Sequence, residues 1–168
     1  MNKKILTLAV IVFWLFLTIV SIIKYEYIFV SGKEVLLKTL PVDPKDLLMG
    51  DYVILNYEIG QLPIRYLFYK NGEEVYVTLN KNEQNIAAIR EILKTKPENE
   101  LFIKGKIGKC NTTIPLFRTG RCINYGIESY YVKEGTGKSI EKDLQNGGLV
   151  RIVINPNGDA KVKGFVNK

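Results

Sequence analysis

The sequence predicts a mainly β, β-rich α+β domain with one short helix, preceded by a single N-terminal transmembrane helix. Three observations support this fold class. An uncharged apolar run lies close to the N-terminus. The rest of the chain alternates between segments rich in branched and aromatic residues and short stretches of Pro, Gly and Asn, a pattern typical of strands joined by turns. Near the C-terminus, one segment has both the start and the stop signal of a helix.

The membrane-spanning segment is predicted from Ile5 to Ile23. Every residue of this run is apolar except two Thr and one Ser, and a helix of this length is about 28 Å long, close to the hydrocarbon thickness of a bilayer. A cleaved signal peptide is the alternative, but it would have a shorter apolar region followed by a small-residue cleavage site, whereas Lys24 and Tyr25 follow this run. We therefore expect an uncleaved anchor.

Charge at the N-terminus predicts the orientation of the anchor. Lys3 and Lys4 precede the run without an acidic residue, so the positive-inside rule places residues 1–4 in the cytoplasm, residues 5–23 in the cell membrane and residues 24–168 outside the cytoplasm. The chain has 24 Lys and Arg against 17 Asp and Glu, and the Lys residues are scattered. We predict a mildly basic surface and no nucleic-acid partner.

The composition also excludes several kinds of active site. The chain has 168 residues, which suits one domain of ordinary size. It contains no His and two Cys, so His-based catalysis, imidazole metal sites and a four-Cys zinc site are excluded. We predict no metal site and no cofactor, and the sequence favours a binding role over an enzymatic one.

Strands are predicted along most of the domain. A hairpin is expected across Asn71-Gly72 and a second one across the turn from Asn155 to Gly158. A short helix is expected from a cap at Ser139 to Asn146, before two glycines. The predicted strands are Glu34–Leu40, Asp51–Glu58, Arg65–Tyr69, Glu74–Leu79, Leu101–Ile107, Leu149–Ile154 and Ala160–Phe165. The segment Asn85–Leu93 has apolar residues at helical spacing, so its local pattern favours a helix.

Two short patterns resemble a known family. Residues 50–57 read GDYVILNY and fit the pattern G-D-Y-x-x-L-x-Y through Gly50, Asp51, Tyr52, Leu55 and Tyr57. A second pattern comprises Tyr125, Gly126, Glu128, Glu134, Gly135 and Gly137. Together with the N-terminal span and the closing helix and hairpin, they resemble the membrane-anchored GDYXXLXY family over nearly the whole chain. This resemblance implies a small extracytoplasmic domain of unassigned biochemistry that accompanies a polytopic membrane protein, and it favours a strand over a helix at Asn85–Leu93.

The chemistry of the first pattern admits two interpretations. Asp51 can accept backbone N–H bonds from the preceding turn, with Tyr52 to Tyr57 forming a buried strand, so that the pattern serves the fold. Alternatively, Asp51 with Tyr52 or Tyr57 binds a ligand.

A resemblance to membrane-anchored signal peptidases leaves two enzymatic alternatives open. Val42-Asp43-Pro44 followed by Gly50-Asp51 is similar to those enzymes, but Pro41 or Val42 occupies the position of their nucleophilic Ser, and neither can attack a carbonyl. The chain could accordingly be a catalytically empty or divergent relative of that β fold. It could also be a hydrolase that uses carboxylate, Ser and Lys groups.

The two cysteines are predicted to form a disulfide. Cys110 and Cys122 both lie in the predicted exterior domain, where an oxidising environment permits the bond. Closing a loop of this size stabilises the fold by roughly 2–3 kcal/mol in the entropic account. The alternative is a pair of free, buried thiols.

Overall fold

The computed structural model describes residues 3–41, 48–49, 52–110, 120–133, 136, 140, 144 and 147–166. Within these residues, one long helix, α1 (Lys3–Ser31), precedes ten strands: β1 (Lys33–Lys38), β2 (Leu48–Met49), β3 (Tyr52–Ile54), β4 (Glu74–Lys81), β5 (Ala87–Leu93), β6 (Phe102–Lys109), β7 (Arg121–Asn124), β8 (Ser129–Tyr131), β9 (Leu149–Ile154) and β10 (Ala160–Val166). The prediction of a β-rich domain behind one apolar N-terminal helix is confirmed.

Helix α1 is apolar along almost its whole length and exposed on all sides. Its mean hydropathy reaches 2.8, and none of its most apolar window is buried against the domain. Hydroxyls of Thr7, Thr18 and Ser21 donate to backbone carbonyls four residues earlier, so they are satisfied inside the helix. A helix of this length and composition can span a membrane as a single-pass anchor.

The described strands form three antiparallel sheets around one core. Their orders are β1-β9-β10, β2-β3-β8 and β5-β4-β6-β7. Isolated bridges join the sheets: Leu36 pairs with Ile86 in parallel, and Thr39 pairs with Tyr57 in antiparallel. In β1 the alternate residues Val35 and Leu37 are buried, as expected for a strand with one face on the core. The buried residues Val35, Leu37, Val75, Val77, Ile103, Val150 and Ile152 belong to one hydrophobic cluster.

Several strand predictions are confirmed. The hairpin β9–β10 turns through Asn155, whose side-chain carbonyl accepts from the backbone N–H groups of Asn157 and Asp159. In the segment Asn85–Leu93, the local pattern favours a helix and the family resemblance favours a strand. Its residues Ala87–Leu93 form strand β5, which pairs with β4. Of the predicted helix from Ser139 to Asn146, Ile140 and Leu144 have helical backbone, and the other residues lie outside the described part of the chain.

The predicted hairpin across Asn71-Gly72 is wrong. Residues Ile64–Tyr66 form a single 3-10 turn, and the segment leading to Gly72 is irregular. The reason is competition for edges: β4 is paired with β5 on one side and with β6 on the other, so neither edge of β4 is open to Arg65–Tyr69. Hairpin chemistry at the turn could not reveal that more distant strands occupy both edges.

The strand predicted over Asp51–Glu58 is shorter than expected. Strand β3 ends at Ile54, the backbone stays extended to Tyr57, and Glu58–Gly60 form a 3-10 turn. The period of two nevertheless continues, because Val53, Leu55 and Tyr57 are buried while Ile54 and Asn56 are only partly so.

Candidate functional site

The two family patterns meet in space. Strand β3 pairs with β8, which places Tyr52 opposite Tyr131 and Val53 opposite Tyr130. Just beyond the paired residues, the backbone N–H of Leu55 donates to the carbonyl of Glu128 at 2.7 Å. Segments about 70 residues apart in sequence therefore share one small sheet and its continuation.

Two buried phenols join these segments in a reciprocal manner. The hydroxyl of Tyr57, in the first pattern, donates to the carbonyl of Ile127 at 2.9 Å. The hydroxyl of Tyr125, in the second pattern, donates to the carbonyl of Ile59 at 2.6 Å. Each tyrosine thus satisfies a buried carbonyl of the other segment, as buried polar groups require. We refer to this pair of hydrogen bonds as the tyrosine joint.

The electrostatics of the tyrosine joint keep both phenols neutral. Burial raises the pKa of Tyr57 well above its usual value, and the negative charge of Glu128 raises it further. The same two causes, in the same order, raise the pKa of Tyr125. Both effects disfavour a phenolate, so these groups act as hydrogen-bond donors at every physiological pH.

The turn of the second pattern is built around Gly126 and Glu128. Gly126 has a φ of +76°, a left-handed conformation that residues with a Cβ adopt only with strain. This turn brings the carboxylate of Glu128 back to accept from the backbone N–H of Tyr125. The remaining pattern residues Gly50, Asp51, Glu134, Gly135 and Gly137 lie outside the described residues, and so does any ligand site at Asp51.

A second feature is an exposed apolar surface on residues 64–68, which overlap the wrongly predicted strand Arg65–Tyr69. Ile64 and Phe68 are each 65% exposed and Leu67 is 37% exposed. Outside α1, the other exposed large hydrophobic residue of the described chain is Tyr131. We call the surface formed by Ile64, Leu67 and Phe68 the apolar platform.

The platform is held rigidly by polar contacts behind it. The guanidinium of Arg121 donates to the carbonyls of Leu67 and Tyr69 and to the side chain of Asn71. The Tyr69 ring is buried beneath Phe68, with the two centroids 4.6 Å apart, and the Tyr69 hydroxyl donates to the carbonyl of Ile92. Burial raises the pKa of the Tyr69 phenol, so it too remains a donor.

Charges border one side of the platform. The ammonium group of Lys94 lies 6.0 Å from the centroid of Phe68 and 5.1 Å from that of Tyr69, and it pairs with Glu73 at 2.9 Å. Hydrogen bonds from the Lys70 backbone N–H and from Lys94 lower the pKa of the Glu73 carboxyl. The cationic rim is thus anchored by a carboxylate that stays ionised.

The disulfide lies directly behind this arrangement. Cys110 and Cys122 are bonded, with a Cα–Cα distance of 5.0 Å, and they join the end of β6 to β7. Arg121 is the neighbour of Cys122 on β7, so the bond fixes the strand from which the guanidinium reaches the platform. The predicted disulfide is present in the structure, and the alternative of two free thiols is not.

Sequence reasoning missed the platform and its support. The signal was available in part: residues 64–69 are apolar at five of six positions, without the alternation of polar and apolar residues that a half-buried strand shows. The partnership with Arg121 had no sequence signal, because more than 50 residues separate the partners. Among the described residues, no group of three His, Cys, Asp or Glu could hold a metal ion.

The fold and these features define a class: a β-rich domain, built on paired family patterns, that follows one N-terminal apolar helix. The family model for the GDYXXLXY protein matches residues 14–165, nearly the whole chain, and the chain belongs to this family. Comparison with curated proteins and with solved structures found no match.

Proposed function

We propose that this protein is a membrane-anchored interaction domain whose apolar platform binds an integral membrane protein. In this proposal, residues 5–23 span the cell membrane, the N-terminus is cytoplasmic and residues 24–168 lie outside the cytoplasm. The observation that carries the proposal is the platform itself: three of the four exposed large hydrophobic residues described outside α1 belong to one five-residue segment.

The platform has the physical properties of a binding surface. Its exposed side chains stand on a rigid base made by Arg121 and Tyr69, so binding would order few additional groups. Completing the burial of Ile64, Leu67 and Phe68 would contribute about 3 kcal/mol in total, since each is already partly covered. A partner anchored in the same membrane needs little additional binding free energy, because confinement to one membrane raises the effective concentration of both proteins.

The partner's chemistry follows from the surroundings of the platform. The apolar side chains require an apolar counterpart, and the adjacent Arg65 favours a carboxylate at its edge, whereas the charge of Lys94 is already paired with Glu73. Arg65 already lies over the ring of Tyr66 at 4.9 Å, which keeps its charge at the rim. The family resemblance supports a polytopic membrane protein as the bearer of that surface.

Site-specific photo-crosslinking tests the proposal. Full-length protein with a photo-reactive phenylalanine analogue at Phe68 is expressed in its native host and irradiated, and adducts are identified by mass spectrometry. The matched control places the same analogue at Asn82, which is also exposed. We expect an adduct with a polytopic membrane protein from Phe68, and its loss on Ile64→Ser with Leu67→Ser. Identical adducts from both positions, or adducts with soluble proteins alone, would refute the proposal.

A further inference from the structure

With residues 5–23 in the bilayer core, as proposed above, α1 ends just outside the lipid headgroups. The helix continues for eight residues past Ile23, the end of the apolar run, and these residues add about 12 Å. Headgroups occupy roughly 5–8 Å on each side of the hydrocarbon core. Tyr25 and Tyr27, both exposed, lie within this stretch, as aromatic residues at membrane interfaces commonly do. The domain surface beside Ile28 and Ser31 therefore lies at the outer edge of the headgroup layer, within the range over which charges interact with it.

Two cavities open on that surface. The larger has a volume of about 790 Å³, and its wall includes Ser31, Lys33 and Lys96. The smaller has a volume of about 390 Å³, and its wall includes Ile28 and Lys161. The turn between β9 and β10 contributes to both walls, so the cavities are neighbours around the helix end. We call the lysines that line them the basic collar: Lys33, Lys96, Lys104, Lys106 and Lys161.

Most of the collar lysines have no ion-pair partner among the described residues. Lys104 pairs with Glu74 at 3.2 Å. Among the described residues, the other four collar lysines form no ion pair: Lys96 donates to Asn157, and Lys161 lies 5.2 Å from the ring of Tyr25.

The acidic residues of the cavity walls only partly offset these cations. Glu100 is paired with Arg90 at 3.1 Å and Glu74 with Lys104, which leaves Glu98 and Asp159. Four unpaired lysines thus stand against two unpaired carboxylates, a net positive charge at the membrane surface.

We infer that the basic collar binds the headgroups of anionic phospholipids in the leaflet from which α1 emerges. The lipid phosphates supply the negative charge that the collar lacks, and both cavities are roomy enough for a headgroup. Each lysine within reach of an anionic surface strengthens binding severalfold. The inference depends on the membrane-spanning helix of the proposed function but is independent of the partner at the platform.

Lipid binding by the full-length protein in detergent tests the inference. Phosphatidylglycerol or phosphatidylcholine is titrated in, and retained lipid is counted by native mass spectrometry. The collar variant is Lys33→Gln with Lys161→Gln. The control is Lys70→Gln with Lys109→Gln, which removes the same charge from two lysines that line neither cavity. Melting temperatures of all variants should match, since these side chains are exposed or only partly buried.

We expect the wild type and the control to retain phosphatidylglycerol in preference to phosphatidylcholine, and the collar variant to bind it roughly 30-fold more weakly. Glu98→Gln removes an opposing charge and should tighten binding. The inference is overturned if the wild type does not distinguish the two lipids, or if collar and control variants bind alike. The Phe68 adduct should persist in the collar variant, so the failure of one proposal is distinguishable from the failure of the other.

Discussion

Removing the hydroxyl of Tyr57 tests whether the family patterns serve the fold. In Tyr57→Phe the ring still fills its buried position, but the carbonyl of Ile127 loses its donor. An unsatisfied buried acceptor costs about 1–3 kcal/mol. For a domain of this size, about 2 kcal/mol corresponds to a fall of about 8 °C in Tm.

The assay is thermal unfolding of the full-length protein in detergent, followed by circular dichroism. Tyr76→Phe is the matched control, because the Tyr76 hydroxyl donates to Glu74 in an exposed hydrogen bond. Loss of that bond should lower Tm by about 2 °C at most. Tyr125→Phe should resemble Tyr57→Phe, since its hydroxyl is equally buried and bonded to Ile59.

The combined variant measures whether the tyrosine joint acts as a unit. The two hydrogen bonds connect the same pair of segments, so the loss in Tyr57→Phe with Tyr125→Phe should differ from the sum of the single losses. An unchanged Tm in Tyr57→Phe, together with loss of the Phe68 adduct, would refute the structural interpretation of the joint. The first pattern would then have to be treated as a binding site.

Three further outcomes are expected. Above pH 10 the unfolded chain ionises at Tyr57 and Tyr125 while the folded domain, in which their pKa is raised, retains both protons, so unfolding free energy should fall by about 2.7 kcal/mol per pH unit. This part of the slope, measured in denaturant titrations, should be lost in the double Phe variant, whereas Tyr69, whose pKa burial also raises, should still contribute; an equal slope would contradict the assignment. Replacing Cys110 and Cys122 by Ser should lower the free energy of unfolding by about 3 kcal/mol. It should also reduce Phe68 crosslinking, because the disulfide no longer fixes the strand that carries Arg121. Unchanged crosslinking would show that the disulfide does not support the platform. A C-terminal tag should be digested by protease added to spheroplasts, whereas a protected tag or a mature N-terminus near residue 24 would contradict the uncleaved, N-in arrangement.

Local sequence patterns were sufficient to predict the elements whose structure depends mainly on neighbouring residues. The apolar helix, the strands β1, β4, β6, β9 and β10, and the turn at Asn155 follow from hydrophobic periodicity and turn chemistry, which act between near neighbours. Strand β5 is a partial case. Its local spacing favours a helix, whereas the family resemblance favours a strand. The segment forms a strand because pairing with β4 outweighs its local preference.

The sequence by itself determined that this chain has one membrane-length helix, a β-rich domain, a suitable pair of cysteines and two family patterns. Only the tertiary structure decided how the patterns and the segment at residues 64–69 are placed and what supports them. The reciprocal bonds of Tyr57 and Tyr125, and the support of the platform by Arg121, join residues more than 50 positions apart. Such contacts depend on which strand edges are already paired, and that competition is settled by the packing of the whole domain rather than by any local stretch of sequence.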